Sequence, residues 1–316
     1  MERLDDDLGS LRRAAERLRD GGLVAFPTET VYGLGADAQN GQAVARIFEA
    51  KGRPRFNPLI VHVLDLAHVS RFGLVNERAE RLAQAFWPGP LTMVLPRRPD
   101  CALSELVSAG HATVAFRSPA HPVARRLLEG SRVPIAAPSA NPSGYLSPTR
   151  ADHVARAFES INGLLIDGGA CQIGLESTVI DLSSDGPATL LRSGDITLED
   201  ISAHLDDVAL PPADAPLLSP GMLASHYAPH KPLRMDADVA DDTEAVLSFG
   251  DNVPSSGQHH QNLSESGDLV EAAANLFEML HIADRQNVTG IAVAPIPMGG
   301  LGAAINDRLR RAAHGD

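Results

Sequence analysis

Two α/β units, a large one followed by a small one, are what the order of segments in this 316-residue chain predicts. Short apolar runs alternate with amphipathic ones as far as residue 205, a Pro-, Ala- and Asp-rich stretch follows over residues 206–220, and a second strand and helix succession fills the tail. The length suits one large core or two smaller ones. The expected division is residues 1–205, a connecting segment 206–231, and residues 232–316.

Taken in order, residues 8–19 read as a surface helix with Leu8, Leu11, Ala15 and Leu18 on one face, ended by Gly21-Gly22. Residues 23–26 form an apolar run stopped by Pro27, a buried strand. Helices are expected over 41–50 and 77–86, and strands over 59–63, 91–95, 113–116, 135–137, 164–167, 177–181 and 189–192. Several of these strands end in Gly, Pro or Ser, where functional loops gather. In the tail, 245–249 is a mostly apolar stretch, 251–266 a polar loop whose tip is 255–261, 269–280 a helix and 290–294 a strand.

Composition excludes several classes. The formal net charge of -13 argues against a chain that coats nucleic acid through overall electrostatics, and leaves room only for a local basic cleft. Cys101 and Cys171 lie far apart without ligand-like spacing, so they read as packing residues rather than as a disulfide framework or zinc site. No apolar run approaches the roughly 20 residues of a membrane span, and the start is acidic where a signal peptide would be basic; a cytoplasmic protein is expected. There is no Gly-x-Ser-x-Gly, His-Glu-x-x-His or Walker-type Gly-Lys-Ser/Thr segment, which removes support for Ser, Cys or zinc hydrolases and P-loop enzymes. Of 27 basic residues only Lys51 and Lys231 are lysine. A compact ammonium and a flat guanidinium are not interchangeable, so a retained lysine invites explanation.

Four segments carry dense polar chemistry. Pro27 through Gly35 sets hydroxyls and a carboxylate before two glycines, either a plain strand-to-helix turn or a seat for a small polar ligand. Lys51-Gly52-Arg53-Pro54-Arg55-Phe56-Asn57-Pro58 places three cations within five residues and runs into an apolar strand carrying His62, a setting for phosphate or carboxylate oxygens. His62 faces away from Val61 and Val63, as a satisfied core histidine or as a donor to a substrate carboxylate. Ala137 through Gly144, extending to Ser147-Pro148-Thr149, is either a rigid loop of small donors for phosphate or nucleobase edges or a plain Pro-Ser surface turn, and Glu176-Ser177-Thr178 with Arg192 sets hydroxyls and a cation at strand ends. Cations, hydroxyls and amides without an activated nucleophile equip a site to position reactants and stabilise phosphate charge.

Together and in this order, Phe26 to Gly35, Lys51-Gly52-Arg53-Pro54 and Pro138-Ser139-Ala140-Asn141 resemble the signature segments of the YrdC family, and the length resembles its two-domain form, the threonylcarbamoyl-AMP synthases. Ser219-Pro220-Gly221-Met222 with Ser225 to Pro229 is similar to the segment that folds back over the active site in that family, and Gly300 to Arg308 resembles the end of its C-terminal domain. The resemblance implies a YrdC-like twisted mixed sheet with flanking helices, plus a small Rossmann-like C-terminal domain. It implies condensation of L-threonine, bicarbonate and ATP into threonylcarbamoyl-AMP and pyrophosphate, for threonylcarbamoyladenosine beside the tRNA anticodon. Hand-over to a separate tRNA threonylcarbamoyltransferase is implied, with tRNA touched weakly or indirectly.

Carried over position by position, the resemblance implies that Thr30, His62, Arg117, Ser177 and Thr178 contact threonine. Arg53, Asn57, Ser139, Asn141, Ser147, Arg192 and Tyr227 would surround ATP, with Lys51 and Arg53 stabilising the reacting phosphates and Mg²⁺ held by the nucleotide rather than by a protein metal site. Ser193 departs from the proline the family often has, and the middle of the tail is poorly matched. Two rivals share part of the reading. One is the YrdC-like domain of carbamoyltransferases, which lacks the segment that folds back; the other is an RNA-binding module, weakened by the acidic total charge.

Overall fold

The computed structural model describes residues 1–211 and 226–314. The first unit opens with β1 (Glu2–Asp5), α1 (Leu8–Arg19), β2 (Leu23–Phe26), β3 (Gly33–Asp37), α2 (Gly41–Lys51) and β4 (Ile60–His62). It continues with α3 (Leu66–Val69), α4 (Glu77–Phe86), β5 (Leu91–Pro96), α5 (Glu105–Ser108), β6 (Thr113–Arg117) and α6 (Pro122–Ser131). After β7 (Ile135–Ala136) and α7 (Ala151–Ala157) come β8 (Gly163–Asp167), β9 (Thr178–Asp181), β10 (Ala188–Arg192), α8 (Leu198–Ser202) and β11 (Val208–Ala209). These strands form one eleven-stranded mixed sheet in the order β1-β8-β2-β3-β7-β4-β6-β5-β9-β10-β11.

Local chemistry explains the elements. Asp7 caps α1 by accepting from the Gly9 and Ser10 amides, and Leu11, Ala14, Ala15 and Leu18 bury its inner face. Leu8, expected on that face, is 76% exposed, because the buried stripe begins one turn further on. Asn40 caps α2, which ends on Gly52 in the left-handed conformation with φ 60°. The pair Gly33 and Gly35, read as a possible turn, lies instead in β3, antiparallel to β2. A Cβ on Gly35 would fall 2.7 Å from the Phe26 ring and 2.8 Å from an Ile135 methyl, so glycine here serves close packing within the sheet.

The second unit comprises β12 (Leu233–Arg234), β13 (Glu244–Ser248), β14 (Gln258–Asn262), α9 (Leu269–Arg285), β15 (Gly290–Val293) and α10 (Leu301–Ala313). Its four-stranded sheet is parallel, in the order β12-β15-β13-β14. The expected polar loop 251–266 contains the edge strand β14, which pairs through its backbone with β13 and leaves His259 and His260 exposed. The stretch expected to connect the units begins with β11, hydrogen-bonded in parallel to β10. Ser219-Pro220-Gly221-Met222 and Ser225 lie outside the described residues. Among the described residues no helix is long and apolar enough to cross a membrane.

The two units meet along residues 142–176. Leu146 and Leu175 join the apolar core of the second unit, the Tyr145 hydroxyl donates to Asp284 at 2.7 Å, and Arg150 pairs with Glu278 at 2.9 Å. At Gly174, φ 77°, a Cβ would sit 2.5 Å from the Ala273 carbonyl of α9. Gly174→Ala is therefore expected to lower stability by about 3 kcal/mol, through backbone strain plus displacement of α9. Gly169→Ala, also at positive φ but in open space, should cost only about 1 kcal/mol in the same urea titration. Equal losses would mean that the contact between the units is loose.

Candidate active site

The ends of β4, β6 and β10, the loops after β2, α2 and β7, and the segment entering β9 converge on one cleft, also lined by His226 and Tyr227. One wall is organised by Arg117 at the end of β6. Its guanidinium donates to Thr30 Oγ1 at 2.8 Å, to Glu29 Oε1 at 2.6 Å and to the Gly89 carbonyl at 3.3 Å. The other Glu29 oxygen accepts from the amides of Ala120 and His121 at 3.1 and 3.3 Å. Burial pushes the Glu29 carboxyl up, but the Arg117 guanidinium together with backbone amides outweighs it and holds the group below its ordinary range.

His62 shares this wall. On β4 it faces the cleft with Ile60, while Val61 turns into the core. Burial, and then the nearby Arg117 charge, depress its pKa to about 3, so the ring is neutral at working pH. Its Nδ1 is buried without a hydrogen-bond partner.

The opposite wall holds Arg53, Ser139, Ser177, Arg192 and Glu176. Arg53 donates to the Asn57 and Pro58 carbonyls at 3.2 and 2.9 Å, and burial lowers its pKa to about 10. Arg192 donates to the Ser177 carbonyl at 3.0 Å and to Ser177 Oγ at 3.1 Å. The Ser147 hydroxyl donates to Glu176, whose second oxygen accepts from Arg308 of α10 at 2.9 Å. Tyr227 is buried with φ 62°, a left-handed backbone unusual for a bulky residue, and Ala228 secures it by donating to the Gly144 carbonyl at 2.8 Å.

The cleft thus brings together Thr30, His62 and Arg117 on one side and Arg53, Ser139, Ser177, Arg192 and Tyr227 on the other. Lys51, Asn57, Asn141, Ser147 and Thr178 do not line it and stand behind. Lys51 is buried at the end of α2, where its ammonium donates to the Ser139 carbonyl at 2.6 Å and to that of Asn141. Burial, with Arg53 nearby, pushes it well below the lysine range. Asn141 donates to the Pro142 and Tyr145 carbonyls, Thr178 to that of Ile196, and the buried Asn57 amide has no partner. Four groups carried no expected role: Thr28, Glu29, Glu176 and Arg308. Acids flanked by hydroxyls in strand-end motifs were the available signal for the two glutamates; nothing in the sequence paired them with their arginines.

The donor set does not suit a resident divalent ion. Among the described residues no group of three or more His, Cys, Asp or Glu side chains is arranged to hold a metal, and Glu29 and Glu176 are committed to guanidiniums.

Residues 16–194 match the family model described as "Telomere recombination", and residues 196–314 that of the "Threonylcarbamoyl-AMP synthase, C-terminal domain". The chain is 42% identical to the threonylcarbamoyl-AMP synthase of Bacillus subtilis, over 96% of this chain and 93% of that protein. Identity to the enzyme of the same name from Pyrococcus abyssi is 44%, over 96% and 94%. The solved structure of Pyrococcus abyssi Sua5 complexed with L-threonine superposes with a TM-score of 0.89 at 40% identity, covering 99% of this chain and 97% of that one. Fold and relatives define an enzyme of the nucleotidyltransferase type. The chain belongs to the threonylcarbamoyl-AMP synthase family.

The buried histidines make stability depend on pH. In the folded protein His62 and His281 bind a proton only near pH 3, against 6.5 for an ordinary histidine. Below pH 6.5 the unfolded chain binds more protons, so stability is retained above that pH and lost as pH falls. Between about pH 7 and 5.5 each should cost roughly 1 kcal/mol in urea-derived stability, and His62→Asn should remove its share of the slope. An unchanged slope in that variant would contradict a buried neutral ring.

Proposed function

We propose that the chain performs its family's reaction in this cleft, with threonine on the Arg117 side and ATP on the Arg53 and Arg192 side. The reaction condenses L-threonine, bicarbonate and ATP to threonylcarbamoyl-AMP and pyrophosphate, for threonylcarbamoyladenosine modification of tRNA. The observation carrying the assignment of sides is the charge pattern. Three buried guanidiniums, Arg53, Arg117 and Arg192, line the cleft, while of the two buried carboxylates nearby Glu29 is committed to Arg117 and Glu176 to Arg308 behind the wall. That surplus is an anion site in a low-dielectric setting, where each contact is stronger than in water.

Arg117, fixed by Glu29, offers donors to the threonine carboxylate, and Thr30 with neutral His62 offers hydrogen bonds to its polar groups. Ser177 adds a hydroxyl from the opposite wall, with Thr178 behind it. Once the threonine amine has become a carbamate, by taking up bicarbonate with loss of water or carbon dioxide with loss of a proton to solvent, a carbamate oxygen attacks the α-phosphorus and the bond to the leaving pyrophosphate breaks. Arg53 and Arg192 neutralise the charge that builds there, without a protein nucleophile. Lys51 acts from behind by holding the carbonyls of Ser139 and Asn141, which sets the small-donor loop against the nucleotide with Asn57 and Ser147 supporting. Mg²⁺ would arrive with the triphosphate and supply further charge neutralisation. Tyr227 excludes water from a labile adenylate. We place the enzyme in the cytoplasm, delivering product to a tRNA threonylcarbamoyltransferase.

Pyrophosphate release from Mg-ATP and bicarbonate should require L-threonine and be weak with serine or glycine. Arg117→Met should raise the threonine KM roughly 100-fold, the loss of a charge-assisted pair, while leaving ATP affinity within about twofold. Lys51→Ala should abolish release by collapsing the loop. Release indifferent to the amino acid would overturn the assignment.

A further inference from the structure

A side chain of the second unit stands directly behind the cleft lining. Arg308 lies on α10, with its side chain fully buried. Nε donates to Glu176 at 2.9 Å and Nη1 to Asp307 at 2.9 Å, the guanidinium stands 5.4 Å from the centre of the Tyr227 ring, and Nη2 is buried without a partner. Glu176 belongs to the cleft lining, and its other oxygen holds the Ser147 hydroxyl. A buried carboxylate that lost this partner would have to take a proton or draw on another cation, and Arg192 is the next one acting on it.

We propose that Arg308 is a positioning residue for the nucleotide side of the cleft, so that ATP affinity in the first unit depends on how α10 of the second is seated. Through Glu176 it fixes the Ser147 hydroxyl and keeps the Glu176 charge from redirecting Arg192; through its face it supports the Tyr227 ring. Threonine, held by Arg117 and Glu29 on the other wall, lies outside this chain of contacts. The inference rests on the assignment of sides proposed above.

The test is calorimetric ATP binding by the full chain and by Arg308→Gln, Arg308→Lys, Glu176→Gln and the Glu176→Gln/Arg308→Gln double variant, with threonine-dependent pyrophosphate release measured in parallel. Arg308→Gln should weaken ATP at least about tenfold and leave the threonine KM within about twofold. Arg308→Lys should recover part of that loss, and the double variant should be no worse than the poorer single one, because the pair acts as a unit. Equal effects on both substrates, a lowered melting temperature with unchanged ATP affinity, or additive losses in the double variant would overturn the proposal. If Arg308→Gln does not fold, the lysine and double variants decide. A wild type that binds ATP but releases pyrophosphate without regard to amino acid sinks the assignment of function alone, since Arg308 is still judged by ATP affinity; a wild type that binds no ATP sinks both.

Discussion

Burying guanidinium groups beside one another is the constraint on which this molecule is built. Each of Arg53, Arg117, Arg192 and Arg308 is withdrawn from water, where an unpaired charge is costly. The fold meets that cost with three carboxylates, Glu29, Glu176 and Asp307, and a set of backbone carbonyls at strand ends. The eleven-stranded sheet can then be understood as a frame that delivers strand ends to the right places: β6 brings Arg117, β4 sets His62 beside it, and β10 brings Arg192 to the opposite wall. The carbonyls and carboxylates sit beside packed strands, which fixes the directions in which Arg53, Arg117 and Arg192 face the cleft.

What sequence reasoning reached divides along a physical line. Linear motifs were legible because their chemistry is local: Arg53 follows Lys51 by two residues, and Gly52 between them has to be the left-handed cap of α2. The strands carrying His62, Arg117 and Arg192 were legible from apolar runs, and the pleat placed His62 on the face opposite Val61. Pairings across the chain were not. Glu29 and Arg117 are 88 residues apart, Glu176 and Arg308 are 132 apart, and no periodicity connects them. The polar strand β14 was unreadable for another reason, since an edge strand needs only backbone partners and its side chains are free to look like a loop. Gly33 and Gly35 misled by their usual meaning, because a glycine that admits a neighbouring ring looks the same in sequence as one that permits a turn.

The position of Lys51 shows how far shape can overrule composition. A chain that writes arginine at nearly every basic position keeps an ammonium here, between two converging carbonyls, behind a loop that the cleft depends on. A tapering butyl stem ending in a point charge fits that gap; a broad planar fork does not. Exchange between the two basic residues is therefore far more restricted at this buried site than at an exposed cation. Recoding or arginine-enrichment schemes applied to the whole chain would meet their limit at a residue that never shows itself at the surface.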